Sequence, residues 1–135
     1  MIPTDTRVYE VLYVSTLTER QPLSAVAEIS AKARVRNAEK NITGILIFDG
    51  MRFCQQMEGR QKDVLSLIER IRVDARHTDV EIFYHGPLAQ RRFKNFTLAF
   101  ANAEDENALA ALALLDGKPG LNGFLSLLDT LTLQG

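Results

Sequence analysis

The chain is poor in the residues that most protein chemistry depends on. Among its 135 residues there is one cysteine, Cys54, and there are two histidines, His77 and His85. A lone cysteine excludes an internal disulfide, and the Cys/His spacing of a four-ligand zinc site is absent. No HExxH, P-loop or GxGxxG pattern occurs, and no Ser-His-Asp set or pair of acids stands at a catalytic spacing. The sequence is therefore read as a non-enzyme. No apolar run approaches the ~20 residues of a membrane span. The opening residues lack the apolar stretch of a signal peptide, so a cytoplasmic protein is expected. Charge of one sign is lacking too. Sixteen basic residues face seventeen acidic ones, a net charge of −1, which argues against bulk electrostatic binding of nucleic acid.

What is present suffices for one folded domain. Hydrophobic residues make up 46% of the chain, enough for a core and too many for a disordered segment. Charge and composition shift near residue 101. Residues 1–101 carry a net +3, whereas 102–135 carry −4 and are rich in Leu and Ala, with Phe124 the one aromatic residue. Residues 1–101 are read as the functional core and 102–135 as a helical appendage.

Val8 to Ser15 reads as a strand whose alternation puts Val11, Tyr13 and Ser15 on one face and Leu12 and Val14 on the other. Leu23 to Asn37 reads as a helix with Val26, Ile29, Ala33 and Asn37 in one stripe. Ile42–Phe48 and Arg52–Glu58 form a hairpin about Asp49-Gly50. Lys62 to Asp74 reads as a second helix, with Val64, Leu67, Ile68 and Ile71 facing inward. Val80–His85 and Phe96–Phe100 follow as strands, separated by a loop holding Pro87 and the pair Arg91-Arg92, read as a solvated turn or a phosphate contact. The order β-α-β-β-α-β plus a fifth strand predicts an α+β, ferredoxin-like, five-stranded mixed sheet with two helices on one face. Two C-terminal helices, Glu106–Leu115 and Phe124–Leu133, broken by Gly117-Lys118-Pro119-Gly120, are expected on the other face.

Four polar residues fall where a core should be. Gln55 lies between Phe53 and Met57 on one strand face, and Tyr13 sits mid-strand beside Val11. Asn37 continues an apolar helix stripe, although a C-terminal cap explains it as well. Asp74 follows Ile71 by three residues. A buried amide or carboxylate without partners is costly. A polar ligand with an apolar body, lying between the helices, would satisfy all four at once.

In order and spacing the residues resemble the BLUF family of blue-light sensors. The stretches that carry the resemblance are Leu12-Tyr13-Val14-Ser15, Arg36-Asn37-Ala38-Glu39-Lys40-Asn41-Ile42-Thr43-Gly44-Ile45-Leu46, Phe53-Cys54-Gln55-Gln56-Met57-Glu58-Gly59, Asp74-Ala75-Arg76-His77 and Arg91-Arg92-Phe93. The resemblance runs from about Val8 to Phe100 and is to the short stand-alone type. It implies a flavin held non-covalently between the two helices, FAD with FMN as the alternative. It implies that Tyr13 is the photoactive tyrosine and Gln55 the glutamine between it and the flavin. Asn37 matches the residue pairing with the ring's carbonyl and imide edge. Ile29, Arg36, Asp74, Arg76 and His77 match positions lining the ring and ribityl side. On excitation the tyrosine gives an electron and a proton toward the flavin, and the glutamine is left with changed hydrogen bonds and a red-shifted spectrum. The implied partners are the flavin and a downstream protein, or a second copy of the chain, with neither nucleic acid nor membrane. A flavin-binding regulatory module without photochemistry is the alternative reading. Three positions depart from the family pattern. Arg36 stands where Asn or His is more usual, Phe96 where Trp is usual, and Leu98 where Met is usual.

Overall fold

The computed structural model describes residues 8–18, 22, 24–74, 76–105 and 107–132. The elements run β1 (Val8–Leu17), α1 (Ser24–Glu39), β2 (Thr43–Phe48), β3 (Arg52–Arg60), α2 (Gln61–Arg72), β4 (His77–Leu88), β5 (Ala99–Asn102), α3 (Ala108–Ala113) and α4 (Lys118–Leu128). The strands form one sheet in the order β4-β1-β3-β2-β5. The pairs β4-β1, β1-β3 and β3-β2 are antiparallel, and β2-β5 is parallel. This is the α+β, ferredoxin-like mixed sheet that the element order predicts.

Strand parity decides what each face buries. Val11, Tyr13 and Met57 pack under α2 with Val64, Leu67, Ile68 and Ile71. Phe53, Leu46 and Phe48 pack under α1 with Val26, Ile29 and Ala33. The alternate residues, Leu12, Val14, Ile45, Ile47 and Cys54, point to the opposite face. There they join Leu109 and Leu112 of α3 and Leu121 and Phe124 of α4. Both faces are covered, which is why the central strands are apolar on both sides. Gly44 is required where β2 meets β3, because a Cβ there would lie 2.0 Å from the Gln56 carbonyl oxygen.

Several boundaries differ from the sequence expectation. β3 does not stop at Gly59, since its pairing with β1 continues to Val8↔Arg60. β4 runs on through Pro87, which an edge strand tolerates because its missing N–H faces outward. The fifth strand is Ala99–Asn102 rather than Phe96–Phe100. α1 continues to Glu39, so Asn37 lies inside the last turns and does not cap them. The positive φ after this helix belongs to Asn41, at 54°. α2 ends at Arg72, leaving Asp74 in the turn beyond it.

The largest shift is in the tail. Gly117-Lys118-Pro119-Gly120 does not break two helices apart but starts α4, with Gly117 as N-cap at φ 64° and Pro119 in the first turn. Proline has no N–H to lose there, and its φ suits a helix start. Glu106 and Leu133, at the expected ends of the tail helices, lie outside the described residues. Gly120 sits against Phe83, with an added Cβ 2.8 Å from the ring carbon Cδ2. Replacing Gly120 with Ala gains up to ~1 kcal/mol of helix propensity. Crowding the buried Phe83 ring costs ~1–3 kcal/mol. A net loss of ~0.5–2 kcal/mol in urea unfolding is expected. A more stable variant would show that Phe83 yields without strain.

Candidate functional site

The site begins with strand register. Tyr13 on β1 stands directly opposite Gln55 on β3, and Gln55 stands opposite Leu46 on β2. All three side chains project to the α1/α2 face. Gln55 lies at the seam between the two hydrophobic clusters, with Phe53 in the α1 cluster and Met57 in the α2 cluster. The Tyr13 hydroxyl donates to Gln55 Oε1 at 2.5 Å. Tyr13 is fully buried and Gln55 is 3% exposed, so this bond is shielded from water. Burial is the main force pushing the Tyr13 pKa far above the ordinary phenol value, and the nearby Cys54 thiol adds to it. The Arg36 charge pulls the other way, and Asp74 raises it further. Tyr13 therefore keeps its proton throughout the physiological range.

The C-terminal turns of α1 hold the next part. Asn37 is fully buried. Its Nδ2 donates to the Thr97 carbonyl at 2.9 Å, while its Oδ1 is buried without a hydrogen-bond partner. Beside it, Arg36 Nε is also buried and unpartnered. Such atoms cost ~1–3 kcal/mol each when nothing pairs with them. One is an acceptor and the other a donor, on consecutive residues. The imide edge of a flavin ring carries the complementary set, an N–H flanked by carbonyls. Ile29, about two turns earlier in the helix, is buried in the α1 cluster, an apolar surface suited to a ring. A small cleft of about 130 Å³ between the C-terminal end of α1 and α2 is lined by Arg36, Lys40, Lys62, Leu67 and Arg70, among others.

The third part lies past the C-terminal end of α2. Arg76 grips Asp74 through two bonds, Nε to Oδ1 at 3.0 Å and Nη2 to Oδ2 at 2.6 Å. This pairing is the largest cause of a raised Arg76 pKa. It leaves Arg76 Nη1 buried and unpartnered, a third donor suited to a polar ligand. His77 opens β4, but its side chain lies outside the described ones. The orphaned atoms of Arg36, Asn37 and Arg76, together with the apolar wall at Ile29, fit a flavin. Among the described residues there is no cluster suited to a metal ion.

Sequence reasoning missed a second polar cluster, on the α3/α4 face. Glu10, Gln56 and Glu58 are all fully buried. Gln56 Nε2 bridges the two carboxylates, at 3.1 Å to Glu10 and 2.9 Å to Glu58. Arg92 clamps Glu10 through Nε and Nη2, both at 3.0 Å. Arg91 reaches Thr43 Oγ1 at 2.9 Å and the Asn41 carbonyl at 2.8 Å. In the structure the pair Arg91-Arg92 bonds to the sheet and so pins the segment between β4 and β5 to it. The signal was available, because Glu10 and Glu58 share strand parity with Leu12 and Cys54 on an otherwise apolar face.

Comparison with known proteins places this geometry. The family model described as "BLUF: Sensors of blue-light using FAD" matches residues 8–99. A photoactivated adenylate cyclase subunit beta of Euglena gracilis is 36% identical over 101 residues, covering 74% of this chain and 12% of that protein. The chain thus spans about an eighth of the curated relative's length. The dark-state structure of BlrB, a BLUF protein, superposes with a TM-score of 0.77 at 27% identity, covering 92% of this chain and 96% of that one. Klebsiella pneumoniae BlrP1, solved with FMN and cyclic diGMP, gives a TM-score of 0.65 at 28% identity, covering 93% of this chain and 30% of that one.

Proposed function

The chain belongs to the BLUF family, sensors of blue light using FAD, and on that premise we propose how its own residues carry the light response. FAD is the flavin that the reading favours. When bound, it supplies blue-light absorption and an excited state that accepts an electron. Tyr13 is the donor of the chain. It holds its proton in the dark, shares it with Gln55 Oε1, and gives up and regains an electron with that proton in each cycle. Gln55 is left with altered hydrogen bonds, because its amide can both accept and donate. Asn37 and Arg36 hold the imide edge of the ring. Ile29 packs against its body, and Asp74, Arg76 and His77 hold the ribityl side.

The observation that carries this reading is the buried 2.5 Å hydrogen bond from Tyr13 to Gln55, set at the seam beneath the two helices. A phenol and an amide in one shielded chain are what a hydrogen-bond switch needs. Residues 1–101 are read as the sensing part. Residues 102–135 are read as the output part, which hands the change to another protein or to a second copy. The cytoplasm is the expected compartment. Among the described residues, no helix is long and apolar enough to cross a membrane.

The test is an absorption spectrum of the purified chain before and after blue light. A flavin band that moves reversibly to the red is expected. Bound flavin without a shift would make the chain a flavin-binding module instead. No uptake of added FAD would overturn the reading altogether.

A further inference from the structure

The charges around the ring site do not cancel. Asp74 and Arg76 neutralise each other in their two-bonded pair, and the Glu28 charge on α1 also bears on Arg76. Asp63, which also lines the interhelical cleft, is engaged by Arg60 at 2.9 Å. Among the described residues Arg36 makes no ion pair. Glu39 lines the same cleft, but so do Lys40, Lys62 and Arg70, and the cations prevail. Arg36 is anchored in the last turn of α1, with its Nε turned into the protein where nothing accepts from it.

We infer that Arg36 sets the reduction potential of the bound flavin, by placing an uncompensated guanidinium at the imide edge of the ring. This rests on the flavin reading above and goes beyond it. Reduction adds two electrons and one proton to the oxidised ring and leaves a monoanion, with its negative charge on the pyrimidine side. That side is the one Asn37, the neighbour of Arg36, is placed to hold. A fixed cation there stabilises the reduced form over the oxidised one, and low local dielectric strengthens the effect. The field of Arg36 already reaches the site, because it opposes burial at the Tyr13 phenol. Arginine stays charged at every working pH, which a histidine or asparagine in its place does not.

The experiment is a reductive titration of the full chain with FAD bound, using dithionite against a reference dye. Arg36→Lys keeps the charge and Arg36→Gln removes it. Arg36→His, read at pH 8.5, also removes the charge while keeping a ring donor. The Lys variant is expected within twofold of the parent in its reduction equilibrium. The Gln and His variants are expected to be at least tenfold harder to reduce, about 30 mV lower for a two-electron couple. A His or Gln variant within twofold of the parent would overturn the inference, as would a tenfold loss in the Lys variant. Failure of the parent to take up FAD would overturn the functional reading and this inference together, so the two failures are distinguishable.

Discussion

Replacing Tyr13 with Phe is expected to leave a yellow, folded protein whose flavin band no longer moves under blue light. The substitution removes one hydroxyl from a fully buried ring that packs with Val11, Met57 and the α2 stripe. The ring and its contacts remain. What is lost is the donor to Gln55 Oε1. Leaving that acceptor without its partner costs on the order of 1 kcal/mol of stability. The flavin contacts assigned to Asn37, Arg36, Ile29 and Arg76 do not involve the hydroxyl, so cofactor content should stay near that of the parent. The light response should fall by far more than stability does. Phe is a much poorer electron donor and has no phenolic proton, so the cycle assigned to Tyr13 has no first step. Difference spectra under illumination, with flavin content measured on the same sample, check this. A Tyr13→Phe variant that retains the full reversible shift would remove Tyr13 from the mechanism. Gln55→Leu separates the two partners, because it keeps the phenol but removes the amide that must change its bonds.

Most of this site was legible because it is written in strand parity. Tyr13 and Gln55 fall on the same face in any reading that alternates correctly, and the hairpin at Asp49-Gly50 fixes the register of β2 against β3. The two helices follow from their apolar stripes. What parity cannot give is the identity of partners that come from outside regular elements. The Thr97 carbonyl, which engages Asn37 Nδ2, belongs to an irregular segment before β5. Arg34 uses the same segment, donating to the Leu98 carbonyl at 3.0 Å. The mutual pairing of Asp74 and Arg76 depends on the turn after α2, whose course no periodicity specifies. α4 was misplaced because Gly and Pro read as a break, whereas here they form a cap and a first turn. The anchoring of Arg91 and Arg92 is not visible in the sequence, because Glu10 and Glu58 look like ordinary strand charges until their face is seen to be covered by α3 and α4.

That covered face yields the second large effect, a loss of ~2–4 kcal/mol on replacing Glu58 with Gln. The Glu58 carboxylate is buried among donors. Oε1 accepts from Gln56 Nε2 at 2.9 Å and from the Arg92 backbone N–H at 2.8 Å. Oε2 accepts from Thr43 Oγ1 at 2.6 Å and from the Phe93 backbone N–H at 2.9 Å. Glutamine has nearly the same shape but only one acceptor atom, and its amide NH₂ must face a pair of donors in either orientation. If it faces Oε1's former donors, two N–H groups lose their acceptor. If it faces the other pair, Thr43 can rotate its hydroxyl, but the Phe93 N–H stays buried and unpaired. Each orphaned group costs ~1–3 kcal/mol. The damage falls on the segment that carries Phe93 into the α3/α4 core and Leu98 into the α1 core, so it reaches both faces of the sheet. Glu10→Gln should cost less, because its main partner Arg92 is 27% exposed and can turn to water. Urea unfolding with an unchanged slope checks both variants. Equal losses for the two, or a loss below ~0.5 kcal/mol for Glu58→Gln, would show that the carboxylate is not what holds this segment to the sheet.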